Sequence, residues 1–229
     1  MRFAARFAYA LELAVRELVA NALIHQDFGI RGSGPMVEIF SDRIEISNPG
    51  RPLIDTLRFI DERPISRNEV LAKSMRLLKI CEQRGSGIDK VISDVELFQL
   101  PSSQFRATEN HTVAILYAPR RLTAMDKDDR ARACYQHACL RSVSNDYMTN
   151  ASLRQRFALA GTNAAMASRI IADTVSLGLM KPYDPENTSR KLSKYVPFWG
   201  QACCGLFDWQ PAISGGEVLW CSQRTDKTT

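Results

Sequence analysis

Nothing in the sequence reads as a membrane anchor. The opening stretch, MRFAARFAYALELAVRELVA, is basic and then apolar like a secretory leader, but Glu12, Arg16 and Glu17 interrupt it and no small-residue cleavage site follows. No other apolar run approaches the ~20 residues that a membrane span requires. No membrane partner is therefore expected, and the cytoplasm is the expected compartment. Six cysteines, Cys81, Cys134, Cys139, Cys203, Cys204 and Cys221, include no CxxC pair and no His-x-x-x-His partner at zinc spacing. They read as reduced thiols, not as a metal centre or a disulfide framework. No GxxxxGK[ST] run occurs, which argues against a Walker-type motor.

What is present is an ordinary globular composition, 45% hydrophobic and 24% charged over 229 residues, enough for one large or two small domains. The charge is uneven. Residues 1–119 hold 15 Lys and Arg against 15 Asp and Glu, residues 120–200 hold 13 against 7, and residues 201–229 hold 2 against 3. A neutral half joined to a basic half points to a polyanion, most often nucleic acid, as a partner of the second half, with plain solubility charge as the alternative.

Three segments follow from the patterning. In residues 1–119 an opening helix precedes PMVEIFSDRIEISNPG, where Val37, Ile39, Ile44 and Ile46 alternate with polar residues about Ser41 and Asp42, the pattern of a hairpin with one buried face. Helical spacing then returns at Asp55–Ile60 and Asn68–Ile80, a Gly-rich turn precedes another helix near Ile88, and FRATENHTVAILYAP reads as one or two closing strands. Helices laid over one face of a mostly antiparallel sheet give an α+β sandwich. Residues 120–200 read as a linker, two helices broken at 160–162 and a polar loop between extended runs, which is winged-helix order. Its expected core is Leu153, Phe157, Ile170, Ile171, Val175 and Leu179. Residues 201–229 show no clear periodicity.

Within the opening helix, ELAVRELVANALIHQDF sets Glu17, Asn21 and His25 four apart, on one helical line. Two readings stand at this point. The line is either a solvated stripe, with Leu13, Ala20, Leu23 and Ile24 covering the core, or a site.

Glu17-x-x-x-Asn21-x-x-x-His25, DRIEISNPG and RGSGI, in this order, resemble the nucleotide site of the GHKL ATPases. ELVANALIHQDF, VEIFSDRIEISNPGRP, SRNEVLA and RGSGIDKV resemble more closely the ATPase-like domain of bacterial RecG-related, Schlafen/AlbA-associated transcriptional regulators. The resemblance covers residue 9 to about 119, and MASRIIADTVSLGLMKPYD through KYVPFWG looks like the winged-helix end of the same family. It implies a GHKL (Bergerat-type) domain over 1–119, lacking leading elements that relatives carry, a linker and winged helix over 120–200, and a tail without family counterpart.

The resemblance also implies roles. Asn21 would hold Mg²⁺ on the phosphates of ATP, and Glu17 would act as general base on the attacking water. His25 would orient a loop or a phosphate. Gly85, Ser86 and Gly87 would bring backbone amides to phosphate at a helix start, and Asn48 and Gly50 would stand at the adenine-binding turn. Asn48 replaces the superfamily's Asp there, and Pro52 its second glycine; the amide can still accept a hydrogen bond but brings no charge. On DNA, Thr162, Asn163, Ala165, Met166 and Arg169 would enter the major groove, with Arg190, Lys191 and Lys194 of the wing on phosphates. A working ATPase, or an oligomerisation module that binds no nucleotide and assembles a homodimer, is the alternative reading.

Overall fold

The computed structural model describes the backbone of residues 2–81, 87–187, 193–202, 211–214 and 217–220, and the side chains of 12–81, 87–187 and 193–202. Residues 1–129 and 130–229 make two compact units.

The first unit opens with α1 (Arg2–His25), followed by β1 (Met36–Ile39), β2 (Arg43–Pro49), a 3-10 turn at Thr56–Arg58, α2 (Glu69–Leu77), α3 (Gly87–Leu97), β3 (Gln104–Ala107) and β4 (His111–Tyr117). The strands form one antiparallel sheet in the order β1-β2-β4-β3. Register aligns Val37, Ile46, Ala114 and Phe105 in a single row across it. Because strand side chains alternate between faces, Ile44, Ile46 and Asn48 share the side of that row. Ile46 and Leu116 there bury against Ala14, Leu18 and Ala22 of α1 and Val91 and Val95 of α3, with Ile44, Phe105 and Ala114 packed at the margin. Each large side chain so buried stabilises the unit by about 1.5–3 kcal/mol. A second cluster joins Ala20 and Ile24 of α1 to Ala72 and Met75 of α2.

The expected hairpin forms, with Val37 opposite Ile46 and Ile39 opposite Ile44. Its buried face is only half realised. Val37 is 46% and Ile39 80% exposed, because β1 is an edge strand and the helical layer covers β2 and β4 but stops short of it.

In the second unit α4 (Lys127–Val143), α5 (Asn150–Arg156), a 3-10 turn at Gly161–Asn163 and α6 (Ala164–Ser176) precede an antiparallel pair, β5 (Met180–Pro182) and β6 (Tyr195–Pro197). Met148 bridges to Tyr195 beside that pair. Within the last segment, β7 (Pro211–Ser214) and β8 (Glu217–Trp220) pair antiparallel. Thr149 starts α5 through a capping box, its hydroxyl accepting from Ser152 N while the Ser152 hydroxyl accepts from Thr149 N. The buried imidazole of His137 reaches the same hydroxyl, Nε2 to Oγ 3.0 Å. Asn150 Nδ2 donates to Ala164 O and to Ser168 Oγ, at 3.0 and 2.9 Å, which ties α5 to α6. Leu153, Ile170 and Ile171 are buried as expected, while Phe157, Val175 and Leu179 are half-buried. The break between the two helices begins earlier than 160–162, since α5 ends at Arg156 and the chain turns through a left-handed Ala158, φ 49°.

Candidate functional site

Successive residues turn about 100° around an α-helix, so the line of Glu17, Asn21 and His25 lies between two others on α1. To one side stand Ala14, Leu18 and Ala22, buried on the sheet and α3; to the other stand Ala20 and Ile24, buried on α2. A polar line flanked by two packed faces is not an outer solvated stripe. Leu13 is only half-buried and Leu23 is 36% exposed, so neither anchors the core.

The line leads into a cleft of about 920 Å³, solvent-open space included, lined by Asn21, His25, Asn48, Arg51, Arg67, Gly87 and Thr112 among apolar residues such as Ile46, Phe59, Ile65 and Phe105. At one end Gly87 begins α3, where the first-turn amides have no intrahelical partner. A side chain on Gly87 would place its Cβ 2.8 Å from Glu17 Oε2 and 3.6 Å from Asn21 Nδ2. Glu17, Asn21 and the start of α3 thus converge on one point.

The floor is the sheet. Asn48 and Thr112 are register partners on the face of Ile46 and Ala114, so the apolar floor becomes polar at that end. Asn48 lines the cleft at 5% exposure, and its Nδ2 donates to Pro49 O at 3.1 Å. Thr112 Oγ1 donates to Gly50 O at 2.8 Å, while Gly50 N donates to Asn110 O at 2.7 Å. Gly50 has φ +102°, and a Cβ there would lie 2.9 Å from Asp27 Cβ. Only glycine suits this turn.

Arg67 closes the wall. Its Nε, Nη1 and Nη2 reach His25 O, Asp27 Oδ2 and Arg51 O at 3.2, 3.2 and 2.6 Å. Next to it Asn68 Nδ2 donates to Ile24 O and Gln26 O at 2.9 and 2.8 Å, satisfying carbonyls at the end of α1. Burial pushes the His25 imidazole below its ordinary pKa, and the Arg67 charge adds to the effect, both favouring the neutral ring.

The structure therefore brings Asn21, His25, Asn48 and Gly87 onto the wall of one cleft, with Glu17 against Gly87 and Gly50 beside Asp27 and Arg67. Gly85 and Ser86 lie outside the described residues. Sequence reasoning assigned no role to Arg67, Asn68 or Thr112. The Arg67–Asn68 pair stood in the SRNEVLA stretch, but its partners are 16 to 44 residues away along the chain. In the second unit Thr162, Asn163, Ala165, Met166 and Arg169 are all exposed about the start of α6. Lys194 is exposed too, its Nζ 4.6 Å from the centre of the Tyr147 ring. Arg190 and Lys191 lie outside the described residues. No helix among the described residues is long and apolar enough to cross a membrane.

No curated protein matches the sequence. A solved structure, the DIP2311 protein from Corynebacterium diphtheriae, aligns with a TM-score of 0.45 at 15% identity, over 92% of this chain and 39% of that one. The chain thus spans well under half the length of that protein. Residues 32–116, from just before β1 through nearly all of β4, are similar to the family described as "Putative ATP-dependent DNA helicase recG C-terminal", an ATPase-like module of RecG-related type that takes in Asn48, Gly50 and Gly87 and leaves Glu17, Asn21 and His25 upstream.

Proposed function

We propose that the first unit binds Mg·ATP in this cleft and that the second binds double-stranded DNA, the two together making a regulator of the RecG-related type. The observation that carries the nucleotide half is the convergence of Glu17 and Asn21 on Gly87, at one end of a cleft whose floor presents Asn48. The polar end at Asn48 and Thr112 receives the base, whose amino group donates to the Asn48 oxygen. The start of α3 receives phosphate, favoured there by free amides and by the helix dipole.

The donor set suits Mg²⁺ only in company with a nucleotide. Among the described residues no group of three or more His, Cys, Asp or Glu stands together as a metal site, and Mg²⁺ characteristically takes one or two protein oxygens and completes its shell from phosphates and water. Asn21 is the residue that would hold it. When bound, Mg²⁺ neutralises charge on the phosphates. Glu17 stands as general base for a slow hydrolysis: its carboxylate takes a proton from water as the water oxygen bonds to the γ-phosphorus, and the bond to the β–γ bridging oxygen breaks with its electron pair leaving on ADP.

For the DNA half, helix, turn, helix and hairpin follow in winged-helix order, with the exposed start of α6 free to enter a major groove. Arg169 and Asn163 read base edges there. Arg190, Lys191 and Lys194 hold phosphates from the wing. Isothermal titration with Mg·ATP and fluorescence anisotropy with labelled duplex at low salt test the two halves separately. Heat of binding lost in Asn21→Ala supports the first, and no duplex bound at low salt defeats the second.

A further inference from the structure

We infer that Gly87 is a positioning residue for Glu17: by lacking a side chain it leaves the space in which the Glu17 carboxylate stands. This rests on the hydrolytic reading of the cleft. A Cβ at residue 87 would lie 2.8 Å from Glu17 Oε2, closer than nonbonded atoms tolerate, and its other near neighbours are Asn21 Nδ2 at 3.6 Å and the Glu17 carboxyl carbon at 3.8 Å. All three contacts belong to the two side chains assigned to water activation and Mg²⁺. None is backbone.

Two consequences separate this glycine from one required by its fold. Gly87 has no positive φ, unlike Gly32, Gly50 and Gly178, so its backbone accepts any L-residue. It also begins a helix, where alanine is the better helix former. Among the described residues the close conflict a methyl group meets is the far end of the Glu17 side chain, a flexible group that a new Cβ would push to another rotamer. Gly87→Ala should therefore fold, hold nucleotide and misplace the base.

The test measures phosphate release and Mg·ADP affinity for the wild type, Gly87→Ala, Glu17→Gln and the double variant. Gly87→Ala is expected to lower kcat about a hundredfold, the range of a lost general base, a far larger change than the one in Mg·ADP affinity, because alanine keeps the backbone amide at 87 that would meet phosphate. The double variant should be no slower than Glu17→Gln, because both changes remove one function. Glu17→Asp, one methylene shorter, should recover part of the rate in the Gly87→Ala background although it slows the wild type. A Gly87→Ala protein that keeps its kcat, loses affinity and rate in parallel, or multiplies the defect of Glu17→Gln overturns the positioning role alone. A wild type that releases no phosphate overturns it together with hydrolysis, and Mg·ADP binding then decides whether the cleft is a nucleotide site at all.

Discussion

Arg67 and Asp27 form an ion pair 3.2 Å long that spans 40 residues of sequence, and the same guanidinium holds His25 O and Arg51 O. One side chain thus fixes the end of α1 to the turn after β2. Arg67→Ala removes three hydrogen bonds from a part-buried position. The expected loss is about 1–3 kcal/mol, discounted for partial exposure, read as a lower urea midpoint with unchanged slope. Lysine at this position should recover little, since it cannot reach three acceptors with planar geometry.

Gly50 occupies the opposite situation to Gly87. Its φ of +102° and the 2.9 Å approach of a Cβ to Asp27 Cβ involve atoms fixed to backbone. Gly50→Ala is expected to destabilise by roughly 2 kcal/mol or more, from left-handed strain together with the clash. Circular dichroism melts of the two alanine variants should differ clearly, Gly50→Ala falling and Gly87→Ala holding.

His25 makes stability depend on pH in a stated direction. Burial and the Arg67 charge lower its folded pKa below the ordinary 6.5, so in acid the unfolded chain takes up a proton that the folded chain refuses. This contribution is fully present above about pH 6.5 and is lost as pH falls toward the folded value. Urea midpoints of the wild type and His25→Gln at pH 7.5 and 5.5 check it. The wild type should lose more stability across that interval than the variant does.

On the DNA side, Arg169→Ala should cost about 1–3 kcal/mol on a preferred duplex only. Changing both Arg190 and Lys191 to alanine should weaken all duplexes alike and flatten the salt slope by about one unit per residue. Anisotropy titrations over a salt series separate the two patterns. A double wing variant that binds as tightly as the wild type would leave dimerisation as the role of that loop.

The parts of this architecture that were legible in the sequence obey local periodicity. The four-residue spacing of Glu17, Asn21 and His25 survives as one helical line, and the alternation of Ile44 and Ile46 survives as the helix-covered face of β2. Alternation could not reveal that β1 lies at the sheet edge, because exposure of Val37 and Ile39 depends on strand order and on how far the helices reach. Arg67 and Asn68 were hidden for another reason. Apart from the Arg67–Asp27 pair they act on backbone carbonyls of distant residues, and carbonyls carry no sequence signature. Asn48 was legible as a motif position, but its pairing with Thr112 across β2 and β4 required the register.

Nucleotide binding at the Glu17–Asn21–Gly87 end of the cleft is tested most directly by a thermal-shift titration with Mg·ATP. Ligand at a hundredfold excess over its Kd should stabilise the protein by about 2.7 kcal/mol, and Asn21→Ala should abolish the shift without lowering the melting temperature of the nucleotide-free protein by a comparable amount. An unchanged wild-type melting temperature in millimolar Mg·ATP would contradict nucleotide binding and leave the fold standing without it.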